Sequence, residues 1–298
     1  MIFKPNERIN NQYLVQKQFA GGMGVVYIAI DEVTKRRLAI KTLSDDLLNN
    51  RIAVERFERE ARCWINLGQH CNIVHAISFH RGEMPLLFLE FIEGPTLSYL
   101  IKSEPAGMDF FEMVNMASQL CDGLCFAHSC PMPNGSLGVI HRDIKPANIL
   151  LSRMGVPKLT DFGLVKTQND ACQTTGILGT FLYMSPEQCV NSHRVTTKAD
   201  VYSLGVVLYE MLTGNRPQRN HSIAMSRPDA DPDLVQLVEG CLEHAAENRP
   251  TSKELLRELQ SMQKRFVSPA DPCPVCSYRG RKESLYCPVC GTDRASIM

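Results

Sequence analysis

His141-Arg142-Asp143-Ile144-Lys145-Pro146-Ala147-Asn148, followed by Asp161-Phe162-Gly163, is the stretch on which the reading of this 298-residue chain turns. It places a carboxylate, an ammonium group and a carboxamide within one short loop, and a second carboxylate thirteen residues after Asn148. That set of groups is what phosphoryl transfer to a hydroxyl requires. One carboxylate orients the hydroxyl and accepts its proton, the other carboxylate and the amide carbonyl hold a divalent metal, and the ammonium group neutralises the moving phosphoryl group.

Upstream of the loop, the first 90 residues read mostly as strand. Tyr13 to Phe19, Val25 to Asp31, Arg37 to Thr42 and Leu86 to Phe91 are short β-branched or aromatic runs separated by glycine or charged turns. One helix interrupts them: Ile52, Val54, Phe57, Ala61, Trp64, Ile65 and Leu67 recur at helical spacing. Glu93-Gly94-Pro95 breaks the chain, and the pattern then turns helical. Asp109 is suited to cap a helix whose apolar face includes Phe110, Val114, Ala117, Cys121, Leu124 and Cys125. Thr196 or Thr197 caps a second that runs to Thr213 and stops at Gly214, a third spans about Pro232 to Glu243, and a fourth runs from Ser252 to about Lys264. Periodicity alone therefore gives an α+β chain in two parts.

Composition narrows the setting. Lys plus Arg and Asp plus Glu both number 32, so no global field points to nucleic acid or to an anionic membrane surface. The longest apolar runs, Met84 to Phe91 and Val201 to Leu212, are too short to span a bilayer. No apolar signal region opens the chain, so a soluble cytoplasmic protein is expected. Eight of the twelve cysteines are scattered and read as reduced, packed thiols; Cys121 and Cys125, four apart on an apolar helical face, suit a core better than a metal.

Phe19-Ala20-Gly21-Gly22-Met23-Gly24-Val25-Val26-Tyr27 is a turn whose glycines let backbone N–H groups approach phosphate, and Ala39-Ile40-Lys41 follows it at a fitting distance. With these motifs, the catalytic-type loop and Ser185-Pro186-Glu187, the chain resembles a Ser/Thr protein kinase of the bacterial, Hanks type over roughly residues 8 to 265. The resemblance implies a bilobal protein-kinase fold, with a β-rich N-lobe over 8–92 and a helical C-lobe over 93–265. It implies ATP and Mg²⁺ as cofactors and protein serine or threonine hydroxyls as acceptors.

The same resemblance assigns roles residue by residue. Gly21, Gly22 and Gly24 would cover the phosphates, although Phe19 stands where the family has its first glycine. Lys41 would reach the phosphates and pair with Glu60, with Glu55 and Glu58 as rivals for that place. Val26, Ala39 and Leu150 would line the adenine pocket, Leu89 would be its gatekeeper, and Glu90 to Ile92 would supply the hinge. Asp143 would be the catalytic base, Lys145 would touch the γ-phosphate, and Asn148 and Asp161 would hold Mg²⁺. His141 would brace the loop, and Asp200 would accept hydrogen bonds from its backbone. Glu187 would pair with Arg249, and Thr180 would lie near Asp143 and Lys145. Thr174 or Thr175 would be autophosphorylated and held by Arg142. Ser129 to Gly138 reads as a surface excursion, and the short interval from Pro217 to Pro232 implies that a helix often used for substrate docking is shortened or absent.

Past a linker over 266–272, Cys273-Pro274-Val275-Cys276 and Cys287-Pro288-Val289-Cys290 form two near-identical knuckles over 273–291. Four thiolates at this spacing suit tetrahedral Zn²⁺, and the module, too small for a core of its own, resembles a zinc ribbon that folds on its metal. Arg279, Arg281, Lys282 and Arg294 with Tyr278 and Tyr286 are too few to imply nucleic-acid binding; a protein partner or an intramolecular dock is the expectation for the ribbon. The rival reading of the whole is a nucleotide-binding pseudokinase scaffold acting through that ribbon. The presence of Lys41, Glu60, Asp143, Asn148 and Asp161 speaks against it.

Overall fold

The computed structural model of the chain describes residues 3–21, 24–131, 138–162, 181–190, 195–218 and 221–265. Among these, one sheet runs β1 (Arg8–Ile9), β2 (Tyr13–Gly21), β3 (Gly24–Asp31), β4 (Arg37–Leu43), β6 (Leu86–Glu90) and β5 (Ala76–His80) in spatial order, each pair antiparallel. Side chains alternate across a strand, so each face has its own set. Val25, Tyr27, Ala29, Leu38, Ile40, Leu86 and Phe88 pack together as one buried cluster. The other face carries the cross-strand rows Phe19–Val26–Lys41–Leu87 and Ile28–Ala39–Leu89 and looks into the cleft.

After α1 (Asp45–Leu48) comes α2 (Arg51–Leu67), whose first turn is held by Asn50 accepting from the N–H groups of Ile52 and Ala53. Phe57, Ala61, Trp64 and Leu67 are its buried stripe. They join a continuous core with the cleft side of the sheet and with the helices of the second lobe. That lobe comprises α3 (Leu97–Ser103), α4 (Phe110–Ser129), the hairpin β7 (Ile149–Leu151) and β8 (Pro157–Leu159), α5 (Pro186–Val190), α6 (Thr197–Thr213), α7 (Ile223–Ser226), α8 (Pro232–Cys241) and α9 (Ser252–Arg265). Helices α4 and α6 are buried on nearly every side, so they form the frame on which the loops hang.

The caps fall where the sequence put them. Asp109 accepts from the N–H groups of Phe111 and Glu112, and Thr196 from that of Lys198. Gly214, at φ 69°, ends α6 in the left-handed region where a side chain would be strained. A reciprocal box starts α9: Thr251 N–H donates to the Glu254 carboxylate, and Glu254 N–H donates to the Thr251 hydroxyl.

Several expectations are adjusted. Strand β2 runs on to Gly21, α8 stops at Cys241, and α1 joins α2 as a second helix among the early strands. Strand β5, helix α3 and the β7–β8 hairpin were not anticipated. Between Pro217 and Pro232 the described residues carry one short helix, Ile223–Ser226. Gly138 N–H donates to the Cys130 carbonyl, closing the base of the expected excursion, whose residues 132–137 lie outside the described set. No helix among the described residues is long and apolar enough to cross a membrane.

Candidate functional site

The loop 141–148 hangs from a buried carboxylate. Asp200, in the first turn of α6, is fully buried, and its two oxygens accept the N–H groups of His141 and Arg142, each at 2.8 Å. His128 Nε2, from the end of α4, lies 2.9 Å from the same carboxylate, while its Nδ1 is 3.0 Å from the Ser252 hydroxyl at the start of α9. A buried carboxylate survives only when its oxygens are satisfied, and here the loop and α4 together satisfy it. This support offsets local strain: Arg142 and Asp161 sit at φ 63° and 62°, a region that side chains enter at a cost of about 1–2 kcal/mol.

His141 is buried and closes the back of the loop. Its Nε2 lies 3.0 Å from the Thr160 carbonyl, and its Nδ1 accepts the N–H of Asp143 at 3.3 Å. Both contacts need the neutral ring with the proton on Nε2, and burial pushes its pKa down, toward the same form. The ring also packs against Phe162, which in turn meets Trp64 of α2.

At the front of the loop, Lys145 Nζ lies 3.1 Å from Asp143 Oδ2, and Asn148 Nδ2 donates to both the carboxylate and the carbonyl of Asp143 at 2.9 Å. Pro146 begins a single 3₁₀ turn that folds Asn148 back onto Asp143. Because the Asn148 amide nitrogen is engaged, its oxygen is fixed on the opposite side of the carboxamide. Thr160 N–H donates to the Asn148 carbonyl, which carries the chain from the loop to Asp161.

Across the cleft, Lys41 Nζ is 2.6 Å from Asp161 Oδ1. Burial opposes both charges, yet the pair prevails: Asp161 is held below the ordinary carboxylate range and Lys41 above its usual value. Glu60 adds to the field that raises Lys41. The rivals named from sequence are engaged elsewhere, Glu55 with Arg51 and Glu58 with Arg62 and Arg81. Asp161 is thus in direct contact with Lys41, and Glu60 acts on Lys41 through its charge.

The cleft walls follow from register. Val26 is opposite Lys41 and Ala39 opposite Leu89; Val26, Ala39 and Leu150 are partly exposed, whereas Leu89 is buried. A Cβ at Gly24 would sit 2.1 Å from the Thr42 carbonyl, so only glycine allows β3 to approach β4 there. Phe19, opposite Val26, is 59% exposed. At the hinge, Glu90 accepts from Lys158 Nζ and from His75 N–H, both at 2.8 Å, and Ile92 is partly buried. Sequence reading missed Lys158 and His128, because neither lies in a recognisable motif and only tertiary folding brings them to their partners.

Arg249, with its side chain fully buried, makes a two-pronged pair with Glu187 at 2.7 and 2.9 Å, and also donates to the carbonyls of Lys198, Glu243 and His244. Burial alone would raise the Glu187 pKa, but Arg249 holds it below the ordinary range. One residue on, Gln188 donates to the Arg142 carbonyl, which ties this segment to the loop. Cys121 is fully buried in α4 and its pKa is raised, by its hydrogen bond with Cys125 first and then by burial, as a core thiol requires. Gly22, Gly163, Thr174, Thr175, Thr180 and the cysteines at 273, 276, 287 and 290 lie outside the described residues.

The sequence profile of the protein kinase domain matches residues 16–259, so the chain belongs to the protein kinase family. Among characterised relatives, Serine/threonine-protein kinase A of Synechocystis is 33% identical over 288 residues, covering 87% of this chain and 54% of its own. Serine/threonine-protein kinase PknL of Mycobacterium tuberculosis is 37% identical over 239 residues, covering 78% and 58%. The chain therefore spans little more than half the length of either relative. The crystal structure of the M. tuberculosis PknI kinase domain superposes with a TM-score of 0.67 at 22% identity, covering 88% of this chain and 99% of that one, which shows the bilobal fold. Membership implies ATP and Mg²⁺ as cofactors.

Proposed function

We propose that the chain is a Ser/Thr protein kinase that transfers the γ-phosphate of ATP to protein serine or threonine hydroxyls. The observation that carries this reading is the convergence of Asp143, Lys145 and Asn148 on one loop face, opposite the Lys41–Asp161 pair. The donor set fits the cofactors: carboxylate and amide oxygens suit a hard divalent cation, and Lys41 with the glycine turn suits phosphate.

When bound, ATP supplies the transferable phosphoryl group and Mg²⁺ the countercharge that its oxygens need. Lys41, fixed by Asp161 and backed by Glu60, would hold phosphate oxygens, with Gly21, Gly22 and Gly24 covering them. Val26, Ala39 and Leu150 would flank the adenine ring, and Glu90 to Ile92 would contact its edge through backbone groups. Asp161 and the Asn148 oxygen would hold the metal. Asp143 would orient the acceptor hydroxyl and take its proton, with Lys145 balancing the charge beside it. The gain is chiefly positional. Autophosphorylation at Thr174 or Thr175, read by Arg142, goes with this proposal.

The proposed boundaries are 8–92 for the N-lobe, 93–265 for the C-lobe, 266–272 for a linker and 273–291 for a four-cysteine zinc ribbon. The paired C-P-V-C knuckles support the ribbon. A cytoplasmic setting accords with ATP as the phosphate donor and with the free cysteines among the described residues. Transfer of radiolabelled phosphate by wild type, compared with Asp143→Asn, tests the activity. If both bind ATP and neither transfers phosphate, the pseudokinase scaffold is the correct reading. Metal analysis of the purified chain tests the ribbon, which requires more than about half an equivalent of zinc.

A further inference from the structure

A groove of about 770 Å³ lies between α7, α8 and the turn before Arg249, and none of the cleft residues lines it. Its apolar wall is Pro228, Ala230, Pro232 and Val235, and its far end carries Glu239 and Glu243. Both glutamates are exposed, and among the described residues neither has an ion pair. Gly240 lies between them in α8, and a Cβ added there would meet nothing within 4 Å. A glycine inside a helix costs about 1 kcal/mol against alanine. Neither backbone geometry nor packing within the described structure demands this one, whereas a closely approaching occupant would.

We propose that this groove is the docking site of the chain's own tail, residues 266–291, and thereby extend the zinc-ribbon reading by giving the ribbon a place to sit. The position of Arg265 indicates the occupant. As the last residue of α9, it holds Asp233 at 2.6 Å and lies 4.0 Å from Asp231, so the tail departs beside Pro232, where the groove begins. The next residues, Phe266-Val267-Ser268-Pro269-Ala270-Asp271-Pro272, are apolar and proline-rich, matching the apolar wall. Eight residues from Arg265 to Cys273 reach about 26 Å, whereas α8 is about 15 Å long, so the linker can traverse the groove. The first knuckle is followed by Arg279, Arg281 and Lys282, which complement Glu239 and Glu243.

The test is carbodiimide cross-linking of the full chain, which joins lysine to carboxylate directly, with zinc content measured on the same sample. Lys282 is the only lysine after residue 265. A Lys282–Glu239 or Lys282–Glu243 peptide is expected from the monomer band, and it should be lost in Gly240→Phe, which fills the groove at a position with room for a side chain. The double variant Glu239→Gln, Glu243→Gln, which lacks the carboxylates that react, is the control that assigns the peptide, and its melting point should be unchanged. The link found only in a dimer band would assign the groove to a second copy and overturn the proposal. No link in a chain carrying about one zinc would overturn the docking and leave the ribbon standing. A link without zinc would uphold the docking and remove the ribbon.

Discussion

The catalytic-type loop and the β2–β3 hairpin face the same cleft but are built on opposite principles. The loop is suspended from buried Asp200, which His128 also engages, and is tied through Gln188 to the segment that buried Arg249 anchors at Glu187. The hairpin from Gln16 to Gly21 is exposed throughout and is held by its own ladder to β3. Under the proposed function, the groups that place the reacting hydroxyl are thus held from several segments, while the cover above them is held by strand pairing. Precision is concentrated where an ångström of misplacement matters for rate.

This contrast can be broken at its strongest point first. Arg249→Ala leaves Glu187 without its cation and three carbonyls without their donor, and should cost about 3–5 kcal/mol of stability in a denaturant melt. A loss below about 1 kcal/mol would mean that the buried network is not an anchor. Asp143→Asn should instead leave the melting point near wild type while phosphotransfer falls about 10²- to 10⁴-fold. A parallel loss of stability would show that Asp143 serves the fold and not the transfer.

Acid sharpens the comparison next. His141 has a lowered pKa, so the unfolded chain binds the extra proton first; stability is intact above the ordinary histidine value near 6.5 and erodes as pH falls from there toward the lower folded value. Glu187 is also lowered, so its contribution is present above the ordinary glutamate value near 4.3 and is lost as pH falls through its folded value. Melting temperatures measured down from pH 7 should fall in these two windows, and His141→Asn should remove the upper one. The smallest effect belongs to the hairpin. Phe19→Gly should cost no more than about 1 kcal/mol. The expected change is in the KM for ATP with kcat retained; a collapse of kcat would make the cover part of the positioning machinery.

Legibility in the sequence tracked the range of the interactions. Asp109, Thr196 and Gly214 announced their helix ends because a cap is a contact within three or four residues. Helix α3 had a usable signal that went unread, Thr96 as cap followed by Leu97, Leu100 and Ile101. Strand β5 had none, since Ala76–His80 is polar-interrupted and is a strand because β6 pairs with it. In the site, the grouping of Asp143, Lys145 and Asn148 was written into one loop and is found so. The contact of Lys41 with Asp161 was not, because the two lie 120 residues apart.

By itself the sequence determined the kinase family, the loop that gathers Asp143, Lys145 and Asn148, and most helix boundaries, all matters of local spacing and backbone preference. Tertiary structure alone decided which charges meet: Lys41 with Asp161, Glu90 with Lys158, Asp200 with His128. It also left a groove along α8 beside the end of α9. The reason is physical: the free energy of a buried charge depends on the partners that folding brings to it from distant segments, and no window of the chain contains them.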